Sequence, residues 1–210
     1  MGLQLGQTAP DFRADTSQGA IDFHAWSKGK WVVLFSHPKD FTPICTTELG
    51  QFARRKAEFD QRGAQLIGLS VDPSESHRRW AKDVAQVGGA EVGYPIIADP
   101  DLTIAKQYGM YHPEADATVT VRSVFIIDPG HKVRLILTYP PSIGRNIDEI
   151  LRSLDALQQS DRQHVATPVD WEPGEDVVVP PSVSDADAEK RYPGKVRKVT
   201  DYLRYVPAES

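Results

Sequence analysis

The chain of 210 residues has one cysteine, two methionines and no large excess of either charge. A single thiol closes no disulfide within the chain. A disulfide-stapled secreted scaffold is therefore excluded, and a reducing, cytoplasmic setting is expected. The formal net charge of −5 leaves no surplus of lysine and arginine for phosphate contacts, which argues against a nucleic-acid partner. No apolar run reaches the roughly 20 residues that a membrane-spanning helix needs, so no membrane partner is expected. The opening "MGLQLGQTAP" lacks a basic stretch followed by an apolar one and does not read as a signal peptide. Gly6, where Ser or Thr is required, breaks a myristoylation signal. Without a Cys-x-x-Cys pair, a His-Glu-x-x-His or a glycine-rich phosphate loop, the chain calls for no metal and no organic cofactor.

What is present is an ordinary globular core composition, 40% hydrophobic. "WVVLFS" (31–36) and "AQLIGLS" (64–70) are short, β-branched, nearly continuous apolar runs and read as buried strands. A helix is expected between them from Thr42, with Gly63 as its C-terminal stop. A second helix should follow the Asp72-Pro73 turn and end at Gly88-Gly89. "YPIIAD" reads as a strand, and Asp99-Pro100 as the cap and first position of another helix. "TVTVRSVFIID" (118–128), "PGH" and "KVRLILTY" (132–139) form a hairpin pattern. Residues 146–160 form an amphipathic helix with Ile147, Ile150, Leu151, Leu154 and Leu157 on one face. This order predicts an α/β fold with a mixed central sheet flanked by helices. After His164 the chain turns rich in proline and charge. Residues 1–163 are read as the main domain and 164–210 as a small C-terminal subdomain, packed on the main domain or on another subunit.

The one cysteine lies in "SHPKDFTPICTTELG" (36–50). A lone cysteine is most often a small buried apolar residue. Here the predicted helix has Thr42 at its N-cap, Pro43 at the first position and Cys45 at the third. The first-turn N–H groups have no partners within the helix, and the helix dipole favours negative charge there. A thiol so placed is expected to have a lowered pKa and to be reactive. It also follows the C-terminal end of a buried strand, where open α/β sheets put their sites. Pro38 and Pro43 stiffen the loop and shield the sulfur. The Thr42 hydroxyl can donate to an incoming oxygen. Glu48, one turn on, can accept from arginines and fix their orientation, or it is merely an exposed helical glutamate.

Pro38, Thr42 and Cys45 fit a Pro-x-x-x-Thr-x-x-Cys signature, and with it the chain resembles the peroxiredoxins of the AhpC/TSA superfamily. The wider string, with "RSVFIIDP", "YPPSIGRNIDEILRSLDALQ" and "VATPVDW", is similar to the one-cysteine, peroxiredoxin-6-like subfamily over nearly the whole chain. The resemblance implies a thioredoxin-like fold with an N-terminal extension and a C-terminal dimerisation subdomain. It implies a thiol-specific peroxidase acting on hydrogen peroxide and organic hydroperoxides through a Cys45 sulfenic acid, in antioxidant defence. Thr42 and Arg122 would bind the peroxide, Arg122 being otherwise a solvated strand arginine. Arg145 matches a second family arginine, and His37 is typical of the subfamily. With no second cysteine, the resolving thiol must be external: glutathione, a thioredoxin-type protein or another small thiol. A homodimer or larger oligomer is expected.

Some relatives carry a phospholipase serine before the first core strand. By the alignment with "LFSHP", Lys30 takes its place here, His24 matches the family histidine and Gly130 stands where the acid belongs, so no serine-dependent lipase activity is expected. A competing reading is a peroxide sensor or a holdase-like chaperone oligomer; a redox-inert scaffold is a third. Trp31 is expected near the site.

Overall fold

The computed structural model describes residues 2–209. The chain divides into two compact units, the first ending at Ile147 and the second beginning at Asp148. The first holds β1 (Arg13–Ala14), β2 (Ile21–Asp22), α1 (Phe23–Trp26), β3 (Trp31–Ser36), α2 (Pro43–Arg54), α3 (Lys56–Gln61) and β4 (Ala64–Ser70). It continues through α4 (Ser74–Gly88), β5 (Ile96–Ala98), α5 (Thr103–Tyr108), β6 (Arg122–Ile127) and β7 (Val133–Tyr139). The second holds nearly all of α6 (Ile147–Gln163), then β8 (Val177–Val178), α7 (Asp185–Arg191), β9 (Arg197–Lys198) and β10 (Arg204–Val206).

The central sheet has five strands in the order β5-β4-β3-β6-β7. β3 pairs parallel with β4, and β4 with β5, across helical connections. On the other side β3 pairs antiparallel with β6, and β6 with β7, across the short turn at Asp128 to Lys132. This is the mixed, thioredoxin-like sheet that the resemblance implies. β3 reads as a continuous apolar run because both of its faces are covered. Val32 and Leu34 enter a cluster with Phe23, Ile67, Leu69, Tyr108 and Phe125. Phe35 stacks instead on Phe52 of α2, with ring centroids 4.0 Å apart.

Several boundaries differ from those expected. The helix begun at Pro43 does not run unbroken to Gly63: the chain leaves helical geometry at Arg55 and restarts as α3. Asp99 caps α5, but from farther back than the N-cap, its two carboxylate oxygens accepting from Ile104 N and Ala105 N at 3.1 and 2.8 Å. Leu102, in a left-handed conformation (φ 57°), is the N-cap residue. The strand expected from Thr118 starts only at Arg122. Before it, the Thr120 hydroxyl donates to the His37 carbonyl and Val121 N to Met110 O, which takes these residues off the ladder.

In the second unit the composition change after His164 marks where helix gives way to loop. The compact unit nonetheless begins at the head of α6. Ala156 of that helix packs in a small cluster with Val165, Trp171, Val177, Val179, Ala188, Tyr192 and Val206, which ties helix and tail together.

Candidate active site

β3 ends at Ser36, and a tight loop carries the chain into α2. Asp40 is buried in that loop and Phe41 is turned out, through a left-handed backbone at Phe41 (φ 55°). Thr42 has the extended geometry of an N-cap, and Pro43 opens the helix. Thr42 makes no side-chain cap bond; its hydroxyl donates to Lys39 O at 2.9 Å. The helical ladder opens with Thr46 N donating to Thr42 O at 3.0 Å, so the Cys45 N–H lies ahead of it. Cys45 is fully buried.

Three charged side chains form a linked network that reaches the sulfur through Arg122. Arg122, at the start of β6, donates through Nη1 to Cys45 Sγ at 3.3 Å and to Glu48 Oε2 at 2.6 Å. Its Nε and Nη2 both donate to Pro141 O, at 3.0 and 2.8 Å, which locks the guanidinium plane. Arg145 reaches Glu48 three times: its backbone N and Nε donate to Oε1, and Nη2 donates to Oε2. Its Nη1 donates to Ser36 O and Ser123 O. The Arg145 guanidinium also lies over the rings of Phe35 and Phe52, at 5.2 and 5.7 Å. Burial works against the Glu48 carboxylate, but the charge and hydrogen bonds of Arg145, together with Arg122, hold its pKa below the ordinary value. One carboxylate thus orients two buried guanidinium groups, and one of these touches the thiol.

His37 and Pro38 are buried in the same loop. His37 Nε2 meets Asp40 Oδ1 at 2.9 Å, and its buried Nδ1 has no partner among the described residues. Burial pushes the His37 pKa down, against the opposing pull of Asp40. Asp40 Oδ2 meets His77 Nδ1 at 2.8 Å, and His77 Nε2 meets Ile97 O at 3.1 Å. Despite burial, the hydrogen bonds and charges of the two histidines hold the Asp40 carboxyl far below its usual range. The three side chains bring possible metal-ligating atoms within 4.8 Å of one another. Each carboxylate oxygen is already engaged by a ring nitrogen, so the cluster acts as a hydrogen-bonded brace of the loop.

All seven residues singled out in the sequence lie in the first unit. Cys45, Glu48, Arg122 and Arg145 form one hydrogen-bonded group. Thr42 begins the helix that carries two of them, and Pro38 and His37 sit in the loop before it. Asp40, His77 and the Pro141 carbonyl were not anticipated. His77 was findable, since it shares the buried face of α4 with Trp80 and Val84. Trp31 does not lie near the site. It begins β3 while the site follows its end, about 17 Å along a six-residue strand. Trp80 is the neighbouring indole: its Nε1 donates to Thr46 Oγ1 at 3.2 Å, and its ring centroid is 5.2 Å from that of His37.

At the lipase position Lys30 is exposed. His24 Nε2 meets Ala9 O at 2.8 Å, and its ring stacks on His131 at 4.0 Å. His131 Nε2 lies 3.1 Å from Ser27 Oγ, but that hydroxyl donates to Phe23 O at 2.7 Å, which commits its proton away from the ring. Ser27 is thus not activated by His131.

Residues 5–136 match the AhpC/TSA family, and residues 156–195 match the C-terminal domain of 1-Cys peroxiredoxin. A 1-Cys peroxiredoxin of Dictyostelium discoideum is 47% identical over 98% of this chain and 85% of its own length. Peroxiredoxin-6 of Gallus gallus is 44% identical over 98% of each chain. Among solved structures, a cysteine-to-serine mutant of peroxiredoxin 6 of Arenicola marina superposes over 100% of both chains, with a TM-score of 0.94 and 42% identity. A yeast mitochondrial 1-Cys peroxiredoxin, described by its thiol resolving mechanism via glutathione/thioredoxin systems, covers 98% of this chain and 99% of its own, with a TM-score of 0.92 and 46% identity. The chain belongs to the AhpC/TSA family, as a one-cysteine peroxiredoxin of the peroxiredoxin-6 kind.

Proposed function

We propose that Cys45 is the peroxidatic thiol of this thiol-dependent peroxidase, and that Arg122 and Thr42 handle the peroxide. The observation that carries the assignment is the Arg122 guanidinium, 3.3 Å from Sγ and fixed by Glu48 and the Pro141 carbonyl. A guanidinium N–H against sulfur stabilises negative charge there. The thiolate attacks one peroxide oxygen, the O–O bond breaks, and the other oxygen leaves as hydroxide or alkoxide. Charge growing on the leaving oxygen is met by donors already in place, which is where fixed dipoles lower a barrier most. Arg122 and the Cys45 N–H are those donors. The Thr42 hydroxyl proton points at Lys39 O in the resting site, so its oxygen is poised to accept the peroxide hydrogen. Pro38 and His37 shape the loop wall. Cys45 leaves the step as a sulfenic acid, and a second peroxide would carry it to the sulfinic acid.

The chain has no second cysteine, so an external thiol completes the cycle. The glutathione/thioredoxin systems described for the yeast relative support that class of reductant. A homodimer is part of this reading. β7 is an edge of the central sheet, and Leu135, Ile136 and Leu137 on it are only half-buried, the kind of edge that pairs with another chain. The cytoplasm is the proposed location, since a reducing compartment keeps a lone thiol in its working form.

The test is stopped-flow mixing of reduced protein with a slight excess of hydrogen peroxide, following intrinsic tryptophan emission, to which Trp80 beside His37 contributes, across pH. A fast second-order change, absent in Cys45→Ser and retained well below pH 8, is expected. A rate no better than that of an ordinary free thiol would remove the assignment. Sedimentation of the same sample reads the subunit count.

A further inference from the structure

We propose that Phe41 and Arg79 form a subsite for an anionic thiol, and so decide which reductants resolve the Cys45 sulfenic acid. The inference rests on the peroxidase reading and deepens it. Phe41 is a bulky residue held in the left-handed region (φ 55°), where side chains of its size rarely sit. The turn buries Asp40 on His37 and His77 and leaves Phe41 51% exposed, one residue before the N-cap of the cysteine's helix. The ring meets Trp80 on one side, with centroids 6.2 Å apart, and the rest of it faces solvent; backbone outliers of this kind gather at ligand sites. The Arg79 guanidinium, on α4, lies over this ring at 5.8 Å. Arg79 and Lys39 are both exposed, and among the described residues neither has a carboxylate partner. A flat apolar face beside unpaired cations suits a small peptide-like thiol bearing carboxylates. Arginine binds carboxylates in a planar, two-bonded fashion, and the ring supports the rest of the molecule.

Cys45 is fully buried, so a thiol gathers at the rim before its sulfur reaches the site. The reductant's sulfur then attacks the sulfenic sulfur. An S–S bond forms, the S–O bond breaks, and the hydroxyl leaves with the thiol proton as water. A second thiol displaces Cys45 from the mixed disulfide, regenerating Cys45–SH and releasing the oxidised reductant. Hydrogen peroxide is small and uncharged and has no use for such a rim. Selectivity therefore belongs to the resolving step.

The test oxidises the full-length protein with one equivalent of hydrogen peroxide, then mixes it with glutathione, 2-mercaptoethanol or cysteamine. Rates are compared as ratios to 2-mercaptoethanol, which cancels general losses of reactivity. In Arg79→Glu the glutathione ratio is expected to fall about tenfold and the cysteamine ratio to rise. Both shifts should shrink at 1 M salt, where the screening length is about 3 Å. Arg78→Glu, the same charge change one residue away on the exposed surface, is the control and should keep the wild-type ratios within about twofold. Ratios unchanged in Arg79→Glu, or shifted equally in Arg78→Glu, would overturn the subsite. If the wild type is not oxidised by peroxide at all, the peroxidase reading fails instead.

Discussion

At the residue scale the site turns on Glu48. It is 4% exposed and accepts from both guanidinium groups, so it carries orientation and charge balance together. Glu48→Gln keeps the shape but leaves two buried arginines without a counter-ion. Breaking a buried pair in this way typically costs about 3 kcal/mol. The second-order rate with peroxide is expected to fall by about a hundredfold as Arg122 loses its fixed aim at sulfur. Urea unfolding and stopped-flow oxidation check the two effects separately, and a rate within about twofold of wild type would show that Pro141 alone aims Arg122. Cys45 and Thr42 stood in one short signature and Glu48 one helical turn beyond it, whereas Arg122 and Arg145 were reached only through the family resemblance. The Pro141 carbonyl was not legible, because a backbone acceptor leaves no mark on residue type. Asp40 stood in the quoted motif, but its importance comes from His77 on another element, a pairing only the fold brings together.

At the element scale the cysteine's helix is held by its approach to α4. A Cβ on Gly50 would stand 2.9 Å from Gly88 Cα, so the two backbones touch where no side chain fits. Arg54 Nε seals the contact by donating to Gly88 O at 3.0 Å. Gly50→Ala is expected to force α2 and α4 apart and destabilise the protein by about 1–3 kcal/mol. Because α2 also carries Cys45 and Glu48, the oxidation rate should fall in the same variant. A thermal melt and a peroxide-rate measurement that both match wild type would mean that the helices move apart at no cost. The core strands and the crossover helices were readable from periodicity, since burial on one or two faces writes itself into apolar spacing. The break at Arg55 and the left-handed Leu102 were not, because both depend on where neighbouring elements pull the chain. Asp99 shows the same limit: its capping chemistry was visible, and the length of chain between it and the amides it caps was not.

At the scale of the whole molecule, the buried charges of the loop brace and the site set how stability depends on pH. His37 is held neutral by burial, its folded pKa below the ordinary 6.5. The unfolded chain therefore takes up that proton first, and stability begins to fall once pH drops below about 6.5. Glu48 and Asp40 have folded pKa values below their ordinary 4.5 and 3.8. Their contributions are fully present above those values and are lost as pH falls below them, so the decline steepens below about pH 4.5. His131, lowered by partial burial and by its stacked neighbour His24, acts in the same upper window as His37. The urea midpoint at constant ionic strength is thus expected to fall from pH 8 to pH 5 in the wild type. It should fall less steeply when His37 and His131 are both replaced by glutamine, with Glu48's part of the acid limb below pH 4.5 retained. A double variant whose curve runs parallel to wild type between pH 7 and pH 5 would mean that these two imidazoles do not set that slope. The acid limb belongs to the carboxylates that hold the loop and the arginines, so the conditions that unfold the protein should also be those that release Arg122 from the cysteine.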